Sequence, residues 1–286
     1  MLRFLPRIIG ALLLLLLAGC SAVRTGYNNA PTLLYWWLDG YVDFTDAQEQ
    51  TVRSSLAELH RWHRREELPA YAELLARLQQ AADAPVTPEQ ACSYTAQVRA
   101  HLQRLVTQSA DGLARVAPTL RAEQLRHLDL QLEKNNQKWR EQWLDGSAAE
   151  LLERRLERTV ERFENFYGRL SDAQKSLLRQ RLVASGFDPR QAWSDRLQRQ
   201  EDMLRVLQEH RGEERPAHVK AEMLALLQRS LEPQDAGARA RLERMWQEGC
   251  QTLAALHNSA SAEQRRRMLE KLRGYETDFR ALAATP

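Results

Sequence analysis

The chain has 286 residues, 43% of them hydrophobic and 28% charged, with a formal net charge of +3, a balance that suits a folded globular body. Gly and Pro together number 22, which excludes a collagen-like or linker-dominated chain. From position 20 onward there are 11 Val, 12 Thr and no Ile, so residues that favour strands are scarce and a sandwich, barrel or doubly wound sheet is not expected.

Arg3 and Arg7 precede an apolar run over residues 8–17, and Leu17-Ala18-Gly19-Cys20 follows. The run is short for a membrane span and reads as a signal peptide over residues 1–19. The four residues ending at Cys20 resemble the lipobox of bacterial lipoproteins. The resemblance implies cleavage before Cys20 and acylation there by palmitate-type chains, which anchor the protein to the membrane. Ser21, where an Asp would signal inner-membrane retention, implies delivery to the outer membrane with the body facing the periplasm. Without Arg3 and Arg7 the chain carries 39 basic and 38 acidic side chains, which leaves no electrostatic footprint for nucleic acid.

Residues 20–31 are expected to form a short tether. Then comes Thr32-Leu33-Leu34-Tyr35-Trp36-Trp37-Leu38-Asp39-Gly40-Tyr41-Val42-Asp43-Phe44, dense in aromatics. Two readings compete for this run. Trp36, Trp37 and Tyr41 sit at headgroup depth as amphipathic rings do, or Leu34, Trp37, Leu38 and Tyr41 form the inward face of a first helix. Asp39, Asp43 and Asp46 would share one face of an unbroken helix, as paired carboxylates for a cation or acid–base chemistry require. A new helix starting at Thr45 would break that alignment.

Beyond this point apolar residues recur at three- and four-residue steps. The spacing predicts helices over 32–43, 46–66, 69–82, 88–116, 119–144, 147–168, 171–185, 189–211, 216–230, 234–258 and 261–282, about nine or ten once neighbours merge. The fold class is all-α, a multi-helix bundle forming a single domain over 32–286. A division near Asp145-Gly146 is the alternative. Thr45-x-x-Gln48, Thr87-x-x-Gln90, Ser171-x-x-Gln174 and Ser261-x-x-Gln264 match the capping box, in which a hydroxyl and a Gln satisfy orphan amides of the first turn.

His60 and His63 stand three apart on a helix, as two metal ligands can. A third ligand is not evident and Arg61, Arg64 and Arg65 surround them, so structural or solvated histidines are the expectation. Cys92 and Cys250 remain after Cys20. In an oxidising compartment they pair as a disulfide, or they lie apart as buried thiols. The chain lacks His-Glu-x-x-His, Gly-x-Ser-x-Gly, Ser-x-x-Lys, P-loop and dinucleotide fingerprints. No catalytic, cofactor-binding or metal residues are assigned.

The aromatic run behind Tyr27-Asn28-Asn29-Ala30-Pro31 resembles the N-terminal signature of an uncharacterised proteobacterial family of helical lipoproteins, a domain of unknown function. That resemblance implies an envelope lipoprotein and supplies no activity. Val86-Thr87-Pro88-Glu89-Gln90 is similar to the Leu-Thr-x-x-Gln hallmark of Spy-type periplasmic chaperones, over a few helix starts only. The expected function is a non-enzymatic helical interaction module of the envelope that meets a protein partner. A client-binding chaperone and an enzyme acting on envelope material are the alternatives.

Overall fold

The computed structural model describes residues 22–285, so the expected signal peptide over 1–19 and Cys20 lie outside it. A helical stretch over 22–28 leads into α1 (Ala30–Val42). There follow α2 (Asp46–Trp62), a π-helical turn (His63–Glu67), α3 (Leu68–Ala81), α4 (Pro88–Val116), a 3-10 turn (Ala117–Thr119), α5 (Ala122–Trp143) and α6 (Ala148–Tyr167). Then come α7 (Asp172–Ala184), α8 (Pro189–Glu209), α9 (Pro216–Leu231), α10 (Ala236–Asn258) and α11 (Ala262–Ala283). No strand occurs among the described residues. Among the described residues the helices α1 to α11 number eleven, close to the nine or ten expected.

One pair is joined by an unexpected device. The spacing predicts separate helices over 46–66 and 69–82, with Pro69 at the start of the second. Its ring lacks an amide and crowds the carbonyl one turn back, and the chain answers by widening the turn. The Leu68 amide donates to the His63 carbonyl, five residues earlier, and α2 runs on through the π turn into α3. Such turns are frequent where side chains must be re-aimed. Here the turn leaves Glu67 buried.

Helix α4, 29 residues long, is about 43 Å end to end and serves as the spine. Helices α2, α9 and α10 pack along it, and α11 packs on α3. The first core gathers Tyr35, Val52, Val116, Leu128, Leu207 and Met223 from α1, α2, α4, α5, α8 and α9. The second gathers Leu156, Tyr167, Leu178, Leu256 and Met268 around α6, α7, α10 and α11. The chain leaves the first core near Asp145-Gly146, where Gly146 takes φ 125°, and later returns to it through α8 and α9. Each core therefore draws on separated stretches of sequence.

Each core is closed by the same amide pair. Gln48 at the start of α2 faces Gln124 at the start of α5. Gln48 Nε2 donates to Gln124 Oε1 at 3.1 Å and to the Thr119 carbonyl at 2.8 Å. Gln124 Nε2 donates to Gln48 Oε1 at 2.7 Å and to the Asp43 carbonyl at 2.8 Å. Each oxygen also caps its own helix, receiving the Thr45 or the Arg121 amide. The second core repeats the arrangement with Gln174 and Gln264, which exchange bonds of 2.9 and 3.0 Å and reach the Ser259 and Arg169 carbonyls. The reached carbonyl lies five residues before the opposite Gln in all four cases. Buried apolar residues follow four positions after each Gln: Val52, Leu128, Leu178 and Met268. These correspondences give the two cores matching pairs of facing helix starts.

Candidate functional site

The stretch leading into the aromatic helix meets the histidines that follow that helix. Residues 22–31 are not a free tether, because two side chains dock them. Arg24 Nε lies 2.6 Å from the carboxylate of buried Asp278 on α11. The Tyr27 ring lies against His60, with centroids 4.5 Å apart. His60 Nε2 donates to the Tyr27 carbonyl at 2.9 Å, and the Tyr27 hydroxyl pairs with His63 Nδ1 at 3.0 Å. One turn on, the His101 ring donates from Nδ1 to Glu67 at 2.7 Å, and Arg104 Nε reaches the other carboxylate oxygen at 2.9 Å. Tyr71 packs edge-on between His63 and His101.

This cluster joins residues that the sequence spaced apart, and it consumes their polar atoms internally. His60 and His63 each have a protein partner, and among the described residues no group of three or more His, Cys, Asp or Glu is placed to hold a metal. Burial pushes both imidazoles below their usual range. The neighbouring Arg64 adds to this at His60, while Glu67 partly offsets it at His63. Burial also raises the Tyr27 hydroxyl to about 12, so it stays a donor at any ordinary pH.

The sign of the pH effect follows. The unfolded imidazoles take up protons near pH 6.5 whereas the folded ones resist, so the unfolded state binds more protons as pH falls below that value. Stability is therefore expected to drop between pH 7 and 5. Thermal melts should show a falling midpoint, and His60→Gln with His63→Gln should flatten the slope. Part of it should remain, because buried His257 in the second core is depressed as well. A midpoint indifferent to pH over this range would contradict the assignment.

Around α1 the structure corrects one reading. Leu34, Trp37, Leu38 and Tyr41 are not a common inward face. Tyr35 is the buried residue, held under the Arg53 guanidinium 3.7 Å from its ring centroid, and Leu38, Tyr41 and Val42 pack partly against the first core. Leu33, Leu34, Trp36 and Trp37 remain 51, 46, 62 and 59% exposed. The apolar run between 33 and 38 is simply too continuous to have one inward stripe. A helix apolar nearly all round, covered by protein on one side only, is the signature of a second apolar contact.

The aspartates part ways, as a helix start at Thr45 requires. Asp43 ends α1 at φ 57°. The Asp39 carboxylate receives the Phe44 amide at 2.9 Å, and Asp46 sits in the first turn of α2. Tyr41 Oη accepts from Asn135 at 2.9 Å. Far from this region, Cys92 near the start of α4 and Cys250 on α10 are joined as a disulfide, with their Cα atoms 5.2 Å apart.

Sequence reasoning placed Glu67 one turn beyond the two histidines but passed over His101 and Arg104, which lie outside any motif. It also passed over the pairing of glutamines, although Leu120-Arg121-x-x-Gln124 repeats the shape of the recognised starts with Arg in place of the hydroxyl. A search for an apolar residue four before and four after each such Gln would have found this start, though not its partner.

A family model described as a family of unknown function (DUF6279) matches residues 40–235. The chain belongs to this family. In this DUF6279 member the match takes in α2 through α9 and the Gln48–Gln124 pair. It begins inside α1, so Trp36 and Trp37 precede it, and it ends before Cys250 and Gln264. No curated protein and no solved structure matches the chain.

Proposed function

We propose that this DUF6279 member is a lipid-anchored envelope protein, delivered to the outer membrane and facing the periplasm, that works as a non-enzymatic interaction module. The uncovered face of α1 carries the reading. Leu33, Leu34, Trp36 and Trp37 stand exposed within about 20 Å of helix from Arg24, four residues past the lipobox cysteine. Indole rings gain from headgroup depth, where the ring is apolar and its N–H stays wet, so this face rests in the bilayer interface. Among the described residues no helix is long and apolar enough to cross a membrane, and the acyl chains at Cys20 supply the anchor. Exposed Val98 and Leu102 on α4 and Met245 and Trp246 on α10 offer a second apolar face to a protein partner.

Three measurements test this. Labelled palmitate should enter the full chain and be lost with Cys20→Ala. Brominated phospholipid should quench part of the tryptophan emission of the vesicle-bound protein, and Trp36→Phe with Trp37→Phe should remove most of that quenching. Label retained without Cys20, or quenching unchanged in the double variant, would reject the anchor or the bilayer contact respectively. Photo-cross-linkers at Leu102 and Trp246 should capture one or two specific envelope proteins. Suppressed aggregation of several unrelated clients would instead favour a chaperone.

A further inference from the structure

The first core is not filled. A cavity of about 490 Å³ opens between α1, α2, α4, α5 and α8. Its depth is walled by Val52, Leu113, Leu128, Leu132 and Leu207, and its mouth is marked by the exposed side chains of Trp37, Glu58, Asp111 and Arg115. Protein interiors hold few voids larger than a water molecule, and a pocket of this size with apolar walls and a few polar groups at one end has the form of a ligand site.

We propose that this cavity takes the single hydrocarbon chain of a monoacyl phospholipid with a zwitterionic head. Three observations define the occupant. An apolar cavity of about 150 Å³ takes the six carbons of benzene, so 490 Å³ takes roughly twenty in proportion: one long acyl chain and not two. The deep wall offers no charge, which excludes a polar metabolite. Two ion pairs involve the residues of the mouth, Arg115 on Glu58 at 2.5 Å and Asp111 with Lys220 of α9 at 2.6 Å. A head bearing both charges can exchange with both pairs, phosphate onto Arg115 and Lys220 and ammonium onto Glu58 and Asp111, and leave no charge uncompensated. Gly112 lies between these groups on α4, where a Cβ would meet Ser55 Cβ of α2 at 3.0 Å. That close approach fixes one side of the mouth. The site is independent of the anchor, because the residues lining it begin at Trp37.

The test uses the full chain in vesicles and a sixteen-carbon lysophosphatidylethanolamine carrying a chain-terminal diazirine. Cross-links should map to peptides of α4 and α5 around Leu113, Leu128 and Leu132, and should be competed by the unlabelled lipid. Peptides lining the separate 380 Å³ apolar cavity of the second core, around Phe163 and Met268, provide the reference for unspecific labelling. Val52→Phe and, separately, Leu128→Trp should fill the cavity and cut labelling at least about tenfold while the helical circular dichroism is kept. If either variant fails to fold, saturable competition on the natural chain decides alone. Adducts confined to Leu33–Trp37, labelling equal in both cavities, or equal competition by a diacyl lipid would overturn the proposal. A natural chain that takes up no palmitate would overturn the anchor and leave this site standing.

Discussion

Reducing the Cys92–Cys250 disulfide is expected to lower the unfolding free energy by up to about 5 kcal/mol. The bond closes a loop with a sequence separation of 158, and in the chain-entropy account the stabilisation grows with the logarithm of loop length, reaching that size here. For a chain of this length the shift in melting midpoint is about 10 °C or more. The bond ties the start of α4 to α10 beside Ala91 and Ala254, a satellite cluster much smaller than either main core. Without it, the join between spine and second core rests on a few small side chains. Thermal melts with and without reductant, together with Cys92→Ser/Cys250→Ser, provide the measurement. Two alkylatable thiols in the oxidised protein, or unchanged melts, would defeat the expectation.

The second large effect is expected at the paired glutamines. Gln48 and Gln124 each use both amide hydrogens and both oxygen lone pairs inside the protein. Gln124→Ala removes the cap of α5 and strands the Asp43 carbonyl and half of the Gln48 amide, which is itself buried. At about 1–3 kcal/mol for each unsatisfied buried group, the variant should lose about 3 kcal/mol. Gln264→Ala should lose a similar amount through Arg169 and Gln174. A double-mutant cycle on Gln48 and Gln124 should show coupling of about 1–2 kcal/mol, whereas Gln48 with Gln264 should be additive. Gln90 supplies the contrast: it makes the same box with Thr87 at the exposed start of α4 without a glutamine opposite, so Gln90→Ala should cost about 1 kcal/mol. Equal losses at Gln90 and Gln124 would show that only local capping matters.

Much of the fold was legible because helix boundaries are local chemistry. Thr45, Thr87, Ser171 and Ser261 begin helices in the way their hydroxyls and following glutamines dictate. Periodicity located the helix interiors for the same reason. What it could not supply is which starts face one another, since a capping box is complete within four residues and carries no record of its partner. The π turn was hidden because a proline signals a missing donor, and both a break and a widened turn satisfy that requirement. At α1 the continuous run of Leu, Tyr and Trp defeated the period argument, because every register of such a helix looks inward. His60 and His63 were visible as a pair. Glu67 follows in the next turn, but Tyr27 and His101 come from other points in the chain and needed the packed structure to be brought together.

The ion pair between Arg24 and Asp278 limits how the molecule would lie under the proposed anchor. With a lipid on Cys20, four residues would separate the bilayer from a residue clamped to α11, a reach of at most about 14 Å. That short strap would hold the part of α11 around Asp278 beside the membrane, with no stalk to extend across the compartment. A partner would then have to come to the same membrane surface, and encounters would be governed by lateral diffusion in two dimensions.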